Sequence, residues 1–499
     1  MSVNTEGTPE QKGVRTLKAA ALLATYMQAV NLSLPNAALS FIQGSLSMSD
    51  DEVGWIFTAY LAASAISMPL AQWLAVRYGL KRVFQTALAL FTMGLLLGTL
   101  ATSPLEFVGA RIVQGAASGI LGPLSMAIVV ELLPAARRVK FGHAWTAIVL
   151  FGIASGPGIG GWLSEYYGWR ALFYISLPLT GFIAIATALS LADKKAGKSA
   201  PFDFFGFGTF TVGMIALQMM LDRGERMEWF ASSEIRAEAL ASALAFYLYM
   251  VHILTAKVHF LNKALFRNRN FVFSTIIFFA AGFVLLSTMA LTSPMLNELL
   301  GYPPATTGFM TIPRGIGLLS AFILMGRISE SLDPRPWVAA GIALVIYANF
   351  LILGYSPAMD WWPVAVTGAI QGIGLGVLMP SLAKVAFSTL APGLRAEGAG
   401  FFNLARVYGS TMGVAVVQIF FFNNSQAMHQ AFASHLTPYF IAAHNLAAST
   451  SPVATAALNE MITGQASFVA LVGQFKLLLL AMAVVSPLAL LFDKAATAD

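Results

Sequence analysis

Between Leu22 and Ile42 the chain carries no Lys, Arg, Asp or Glu, and comparable apolar runs recur almost to the C-terminus. A helix of about 20 apolar residues crosses the hydrocarbon of a bilayer, and in lipid the backbone polar groups must be satisfied within helices or closed barrels. The expectation is therefore an all-α integral membrane fold. Cut to that length, the sequence places helices at 20–42, 54–75, 84–103, 106–132, 142–165, 171–192, 204–221, 237–256, 271–297, 306–327, 337–355, 362–389, 398–422 and 468–492, fourteen in all. The first run is too long for a signal-peptide core and reads as an uncleaved span. Only 10% of residues are charged, against about 25% in soluble domains. Cys is absent, which excludes disulfides, thiolate metal sites and thiol catalysis.

The net charge of +6 is dispersed over short loops rather than gathered in one patch, which argues against nucleic acid as a partner. It reports topology instead, because cytoplasmic loops are enriched in Lys and Arg. Lys12, Arg15 and Lys18 precede the first span; Arg77, Lys81 and Arg82 follow the second, and Arg137, Arg138 and Lys140 the fourth. Lys194, Lys195 and Lys198 follow the sixth, and Lys263, Arg267 and Arg269 the eighth. Alternate loops carry Asp50, Asp51 and Glu52, then Glu106, Glu298 and Asp360. Both termini are expected in the cytoplasm, with the chain multi-pass in a cell inner membrane. The loop 222–238, where Arg223, Arg226 and Arg236 mix with acids, fits this pattern less well.

An internal repeat joins two halves. Gln114-Gly115-x-x-x-Gly119-x-Leu121-x-Pro123 returns as Gln371-Gly372-x-x-x-Gly376-x-Leu378-x-Pro380. At the same separation Arg138 meets Arg395, Gly152 meets Gly409 and Gly156 meets Gly413; with a small indel, Gly54 meets Gly308. An even number of spans per copy makes the repeats parallel. The expected organisation is a cytoplasmic tail (1–19), a six-helix bundle (20–192) and a linker with two extra helices (193–270). A second six-helix bundle (271–492) contains a periplasmic loop (423–467), and a cytoplasmic tail (493–499) closes the chain.

These features resemble the major facilitator superfamily, in particular its fourteen-span drug:proton antiporters of the EmrB/QacA type, over nearly the whole chain. The most specific element, Gly152-x-x-x-Gly156-Pro157-x-x-Gly160-Gly161, looks like the antiporter signature of that family. Glycines four apart let helix backbones approach closely, and Pro157 bends the segment. The loop with Arg77, Gly79 and Arg82 resembles the cytoplasmic gating motif, although Gln72 and Val76 replace its first Gly and its Asp. Its second copy, Gly326 and Arg327 with Glu330, Asp333 and Arg335, keeps acids; the stretch from Leu217 to Gly224 also resembles the EmrB type. The resemblance implies proton-driven export of small amphipathic molecules by alternating access. It also implies a periplasmic adaptor and an outer-membrane channel as partners.

Ionisable side chains at membrane depth are costly and default to functional candidates. Arg111 stands where the second copy has Gly368, and Arg406 where the first has Val149, so the repeat itself requires neither. Each is a candidate for proton coupling or substrate orientation, the alternative for Arg111 being a structural bond to helix carbonyls. Glu131 and Asp222 are the acids near the ends of spans four and seven, and Arg314 and Lys384 are also expected near helix ends. Gln28, Asn31 and Asn36 would seek partners inside the bundle, with Gln114 of the repeat motif completing the candidate set. In the resembled family the place of Asn31 is commonly an Asp. Asn takes up no proton, so either another acid, Asp222 or Glu131, does the work or the coupling differs, and the departure implies a less cationic substrate.

No strand precedes Gly156-x-Gly158-x-Gly160, which removes a dinucleotide reading, and no Gly-Lys-Ser/Thr phosphate loop occurs. No cofactor, metal or enzymatic activity is expected. The loop 423–467 holds one acid, Glu460, no Lys or Arg, and apolar residues from Phe432 to Met461 at helical spacing. It reads as short amphipathic helices suited to an adaptor. The expected function is secondary active multidrug efflux. The alternatives are a metabolite or siderophore exporter, an uptake symporter of the same fold, or a non-transporting membrane sensor.

Overall fold

The computed structural model describes residues 9–131, 135–192, 201–256, 261–328, 333–435 and 452–493, and among these every regular element is helical. Prolines decide how the first two runs break. Helix α1 (Pro9–Ser33) stops just before Pro35 and passes through a 3-10 turn, Leu34–Ala38, into a short helix, Leu39–Leu46. Helix α2 (Trp55–Ser67) bends by 50° and continues as Leu70–Tyr78. Pro69 sits in the break, where its ring cannot extend the hydrogen-bond ladder. Gly79, at φ 95°, then turns the chain into α3 (Leu80–Leu100).

The remaining helices are α4 (Pro104–Glu131), α5 (Ala135–Tyr167), α6 (Ala171–Ser190), α7 (Phe204–Arg223) and α8 (Ser233–Thr255). They are followed by α9 (Arg269–Leu299), α10 (Pro304–Ile328), α11 (Pro334–Ile352), α12 (Trp362–Ser388), α13 (Arg395–His435) and α14 (Pro452–Val485). Among the described residues twelve helices are long and apolar enough to cross a bilayer, or thirteen with bent α2. Fourteen spans are compatible with this if α1 is added, a helix of 25 residues that ends in the 3-10 turn. It lies inside the fold, with Ala20, Ala21, Ala24 and Met27 fully buried.

The final two spans differ from expectation. Among the described residues of 423–467, 423–435 continue α13 unbroken to His435 and 452–467 belong to α14, which begins at Pro452, rather than to separate short helices. Ser425 and Ser467 hydroxyls lie 3.1 Å apart, as do His429 Nε2 and Asn459 Oδ1, so the extensions pair as a hairpin. At about 1.5 Å per residue, α13 alone is ~60 Å long, twice the ~30 Å hydrocarbon. The hairpin tip, 436–451, lies outside the described residues.

The repeat reappears as packing. In the first six helices α4 lies on α2 and α3, and α1 on α5; in the last six α12 lies on α10 and α11, and α9 on α13. Glycines set the distance. A Cβ on Gly115 or Gly119 would come within 2.2 Å of the Tyr60 or Ser64 carbonyl oxygen, and one on Gly372 or Gly376 within 2.1 or 2.3 Å of those of Arg314 and Leu318.

Two seams join the groups, α5 on α10 and α2 on α13, and the repeat exchanges one for the other. The inserted helices α7 and α8 pack on each other, and α7 docks against both α2 and α13. Only the second seam is covered in this way. The outer face of α8, with Leu240, Leu244, Tyr247 and Leu254 exposed, is apolar as a lipid contact requires.

Candidate functional site

Spacing on α4 places Arg111, Gln114 and Ser118 on one helical face, directed at α1 and α2. Arg111 is fully buried. Its Nε donates to the Ile56 carbonyl (3.0 Å), and its Nη1 donates to the Asn31 carbonyl (3.2 Å) and to Gln114 Oε1 (2.6 Å). The guanidinium lies 4.4 Å from the centre of the Tyr60 ring. Gln114 Nε2 donates to Asn31 Oδ1 (3.2 Å), and Asn31 Nδ2 donates to Ser176 Oγ (2.9 Å) and the Met27 carbonyl (2.9 Å). Tyr60 Oη lies 2.7 Å from Ser118 Oγ and 3.0 Å from the Gln28 carbonyl oxygen, and Ser118 donates to Gln28 Oε1 (3.3 Å). Four of the sequence candidates, Gln28, Asn31, Arg111 and Gln114, thus form one network, joined by Tyr60, Ser118 and Ser176, which the sequence reading did not single out.

Among the described residues Arg111 Nη2 has no hydrogen-bond partner, a condition that costs about 1–3 kcal/mol for a buried donor. No acid pairs with the cation among the described residues. Attraction to the Tyr60 ring supplies part of the compensation. Arg111 thus bonds two helix carbonyls and, among the described residues, keeps one unused donor in a buried site.

The second group rearranges the same parts. Gln371, the counterpart of Gln114, donates to Thr288 Oγ1 (3.1 Å) and Asn349 Oδ1 (3.3 Å). Its Oε1 has no partner among the described residues, and Gly368 stands where Arg111 serves Gln114 in the first copy. Arg314 stands at the place of Tyr60, and its Nη2 donates to the Leu285 carbonyl (2.7 Å). Each group so carries one arginine reaching a carbonyl of its first helix, Arg111 from α4 and Arg314 from α10. This corrects the expectation for Arg314, which sits mid-helix rather than at a helix end. It borders a cavity of about 30 Å³ between the groups, lined by Leu150, Ile153, Pro157, Met289 and Leu318.

Arg406 is half-buried on α13, and its Nε and Nη2 donate to Asn403 Oδ1 (3.2 and 3.0 Å) while Asn403 reaches Met68 of α2. It stands apart from the α4 network, as does Asp222 at the end of α7, whose carboxylate accepts from Gln218 Nε2 (2.8 Å). Glu131 closes α4, and its side chain lies outside the described residues.

The glycine-rich stretch of α5 has two working faces. Cβ atoms on Gly152, Gly156 and Gly160 would meet Ala29 Cβ (2.7 Å), Ser33 Oγ (1.9 Å) and the Leu34 carbonyl (2.0 Å), all within the first group. One on Gly161 would lie 2.1 Å from the Pro304 carbonyl of α10, and one on Gly308 2.5 Å from the Pro157 carbonyl. Beside this contact the Ala305 amide donates to Glu165 (2.9 Å), Ser40 to Glu298 (3.1 Å), and Ser293 to Asn36. The groups are thus sealed at the face bearing Glu106, Glu298 and Asp360. At the opposite face Lys81 Nζ donates to the Ala188 carbonyl (2.7 Å), and Arg335 forms a two-point ion pair with Asp333 (2.8 Å). Arg77 and Arg327 are exposed there, Gly326 precedes Arg327 on α10, and Glu330 lies outside the described residues.

Residues 21–414 match the Major Facilitator Superfamily. The chain is 30% identical to the fatty acid resistance protein FarB of Neisseria gonorrhoeae, over 86% of this chain and 85% of that protein. It is 26% identical to the multidrug export protein EmrB of Haemophilus influenzae, with the same coverage of 86% and 85%. Among solved structures, a bacterial homologue of the human lysosomal transporter Spinster shares the fold at a TM-score of 0.66 and 13% identity, over 99% of this chain and 100% of that one.

Proposed function

The chain belongs to the major facilitator superfamily, and from that premise we propose that it exports small amphipathic molecules by alternating access in exchange for protons. The observation that carries this reading is the α5 stretch from Gly152 to Gly161, which packs its own bundle on one side and closes the seam to α10 on the other. A helix shared in this way lets two bundles rock about a central path. The relatives described as multidrug export and fatty acid resistance proteins support efflux of apolar compounds. Lys and Arg concentrate on the face opposite Glu106 and Asp360, which supports a cytoplasmic location for that face and for both termini. The membrane is the inner membrane, and the sealed face is periplasmic.

Accumulation of ethidium and of a lipophilic carboxylate dye, in cells with and without the protein, tests the proposal. Expression should lower accumulation of at least one of them, and a protonophore should abolish the difference. Equal accumulation in both strains refutes efflux of these classes, and persistence after the protonophore refutes proton exchange.

The charge of the path favours neutral or anionic cargo. Arg111, Arg314 and Arg406 have no acidic partner among the described residues, and Asn31 supplies only an amide. Asn31→Asp would place a carboxylate against Gln114 and Arg111. The expected result is a shift of about tenfold in relative export toward ethidium and away from the anionic dye, a change of ~1.4 kcal/mol. An unchanged ratio at equal expression counts against the network as the determinant of cargo charge.

The α13–α14 hairpin projects on the periplasmic side and offers a docking site for an adaptor that leads to an outer-membrane channel. Replacing 425–465 by a flexible linker should remove resistance in whole cells and leave transport in reconstituted vesicles intact. Equal loss in both assays, or in neither, speaks against an adaptor at this site.

A further inference from the structure

Helices α7 and α8 have no counterpart in the repeat, yet α7 lies along the α2–α13 seam and touches both sides of it. Near one end the Phe210 ring meets that of Tyr408 on α13 (5.8 Å). At the other, Asp222 receives Gln218 Nε2 (2.8 Å) and faces Thr58 on α2, whose hydroxyl also reaches the Gly54 carbonyl (3.3 Å). Just beyond the helix, Glu225 Oε2 receives Asn423 Nδ2 of α13 (3.0 Å). Asp222 therefore sits where an element outside both groups grips one edge of the seam.

The segment it grips is short and connected. Thr58 is one turn from Gly54, where a Cβ would lie 2.1 Å from Gln418 Oε1 of α13. It is two residues from Ile56, whose carbonyl receives Arg111 Nε. Insert, seam and arginine network thus meet in the first turn and a half of α2.

The charged neighbours of Asp222 are engaged elsewhere. Arg223 pairs with Glu234 (2.5 Å) and Glu238 (3.0 Å) of α8, and Glu225 receives Trp229 Nε1 (2.8 Å) as well as Asn423. Arg226, Glu228 and Arg236 lie in the turn and at the head of α8. From α2 come Thr58 and Tyr60, directed at Ser118, and from the turn before it Glu52, which is tied to the Ser49 amide; from α13 come Gln418, Asn423 and Tyr408. Asp222 is thus a carboxylate served by an amide and a hydroxyl, with no cation bonded to it among the described residues. A carboxylate held in this way can accept a proton without breaking an ion pair.

We propose that Asp222 is a proton-binding site on the inserted helix that sets the α2–α13 seam. Charged, it accepts from Gln218 within α7 and from Thr58 of α2, and the second of these contacts holds α7 to the seam. Protonated, it loses part of that accepting capacity and frees the first turns of α2, and with them Ile56 and Gln418. This rests on the proton-exchange reading above and gives the two extra helices a task the repeat leaves unfilled.

The chain has no Cys, so a labelled pair can be introduced directly. Ser45→Cys on the first group and Gln426→Cys on α13 are both exposed positions. With spin labels on both, in proteoliposomes, the distance distribution should shift between about pH 5 and about pH 9, a range that spans perturbed carboxylates. Asp222→Asn, nearly isosteric, should hold the low-pH distribution at both values. Glu238→Gln should leave the shift intact, and Asp222→Glu should restore part of it. A shift in Asp222→Asn equal to the parent's, or no shift in the parent, overturns the proposal. Ethidium transport by the same vesicles is scored separately. A parent that shifts but does not transport removes the exporter reading alone, and a parent that transports without the Asp222-dependent shift removes the proton site alone.

Discussion

Arg111→Ala lowers transport by at least about 100-fold, equivalent to ~2.7 kcal/mol, while the protein still inserts and folds. The side chain joins α4 to carbonyls of α1 and α2 and to Gln114, so its loss disconnects three helices at one level. Folding tolerates the change because the Ile56 carbonyl lies within a helix, so that only the Asn31 carbonyl, four residues before Pro35 and without a helical N–H donor, is left short of a bond, and because an unpaired buried cation leaves with the side chain. Arg111→Lys restores less than about a tenth of the rate, since a point charge cannot serve three acceptors and stack on Tyr60 at once. Vesicle transport, with size-exclusion profile and thermal melting as controls for folding, decides the matter. Transport near the parental rate in the Ala variant would remove Arg111 from the mechanism.

Two adjacent glycines should fail in opposite ways. Gly160→Ala drives a methyl to 2.0 Å from the Leu34 carbonyl within the first bundle, and Gly161→Ala drives one to 2.1 Å from the Pro304 carbonyl across the seam. Overpacking of this kind costs about 1–3 kcal/mol. For Gly160 the cost falls on folding, because α1 and α5 stay together throughout the cycle, and a lowered melting temperature and yield are expected. For Gly161 it falls on the closed arrangement alone, displacing that state by ~5- to 150-fold and slowing transport with melting unchanged. Gly308→Ala, 2.5 Å from the Pro157 carbonyl, should reproduce the Gly161 result. If the Gly160 and Gly161 variants behave alike, the division of α5 into two faces is wrong.

Much of the fold was legible because lipid imposes a length on each helix, and because the repeat around Gln114 and Gln371 has fixed spacing. The breaks at Pro35 and Pro69 were not legible. Pro123, Pro157, Pro313 and Pro380 lie inside continuous helices, so a proline alone does not announce an end. The helical spacing of the α13–α14 extensions was legible, but their continuity with the two spans was not, because outside the bilayer a helix needs no long apolar run. Within the site, Arg111, Asn31 and Gln28 stood out as rare polar groups in apolar runs. Tyr60 and Ser118 did not, because hydroxyl residues are ordinary in such helices. The repeat held the missing signal, since it sets Tyr60 opposite Arg314, an aromatic exchanged for a cation.

Helix α13 carries no proline between Arg395 and His435 and is one rigid rod from the α2 seam to the hairpin. A rod pivoting at the seam acts as a lever. From Gln418 to His435 is ~25 Å at 1.5 Å per residue, so a tilt of about 10° moves the outer end by ~4 Å. Side-chain adjustments beside Thr58 and Gln418 then emerge as a displacement comparable to a helix radius, far outside the bilayer. A partner resting on the hairpin would feel each turn of the cycle as a mechanical stroke, with no need to sense the cargo itself.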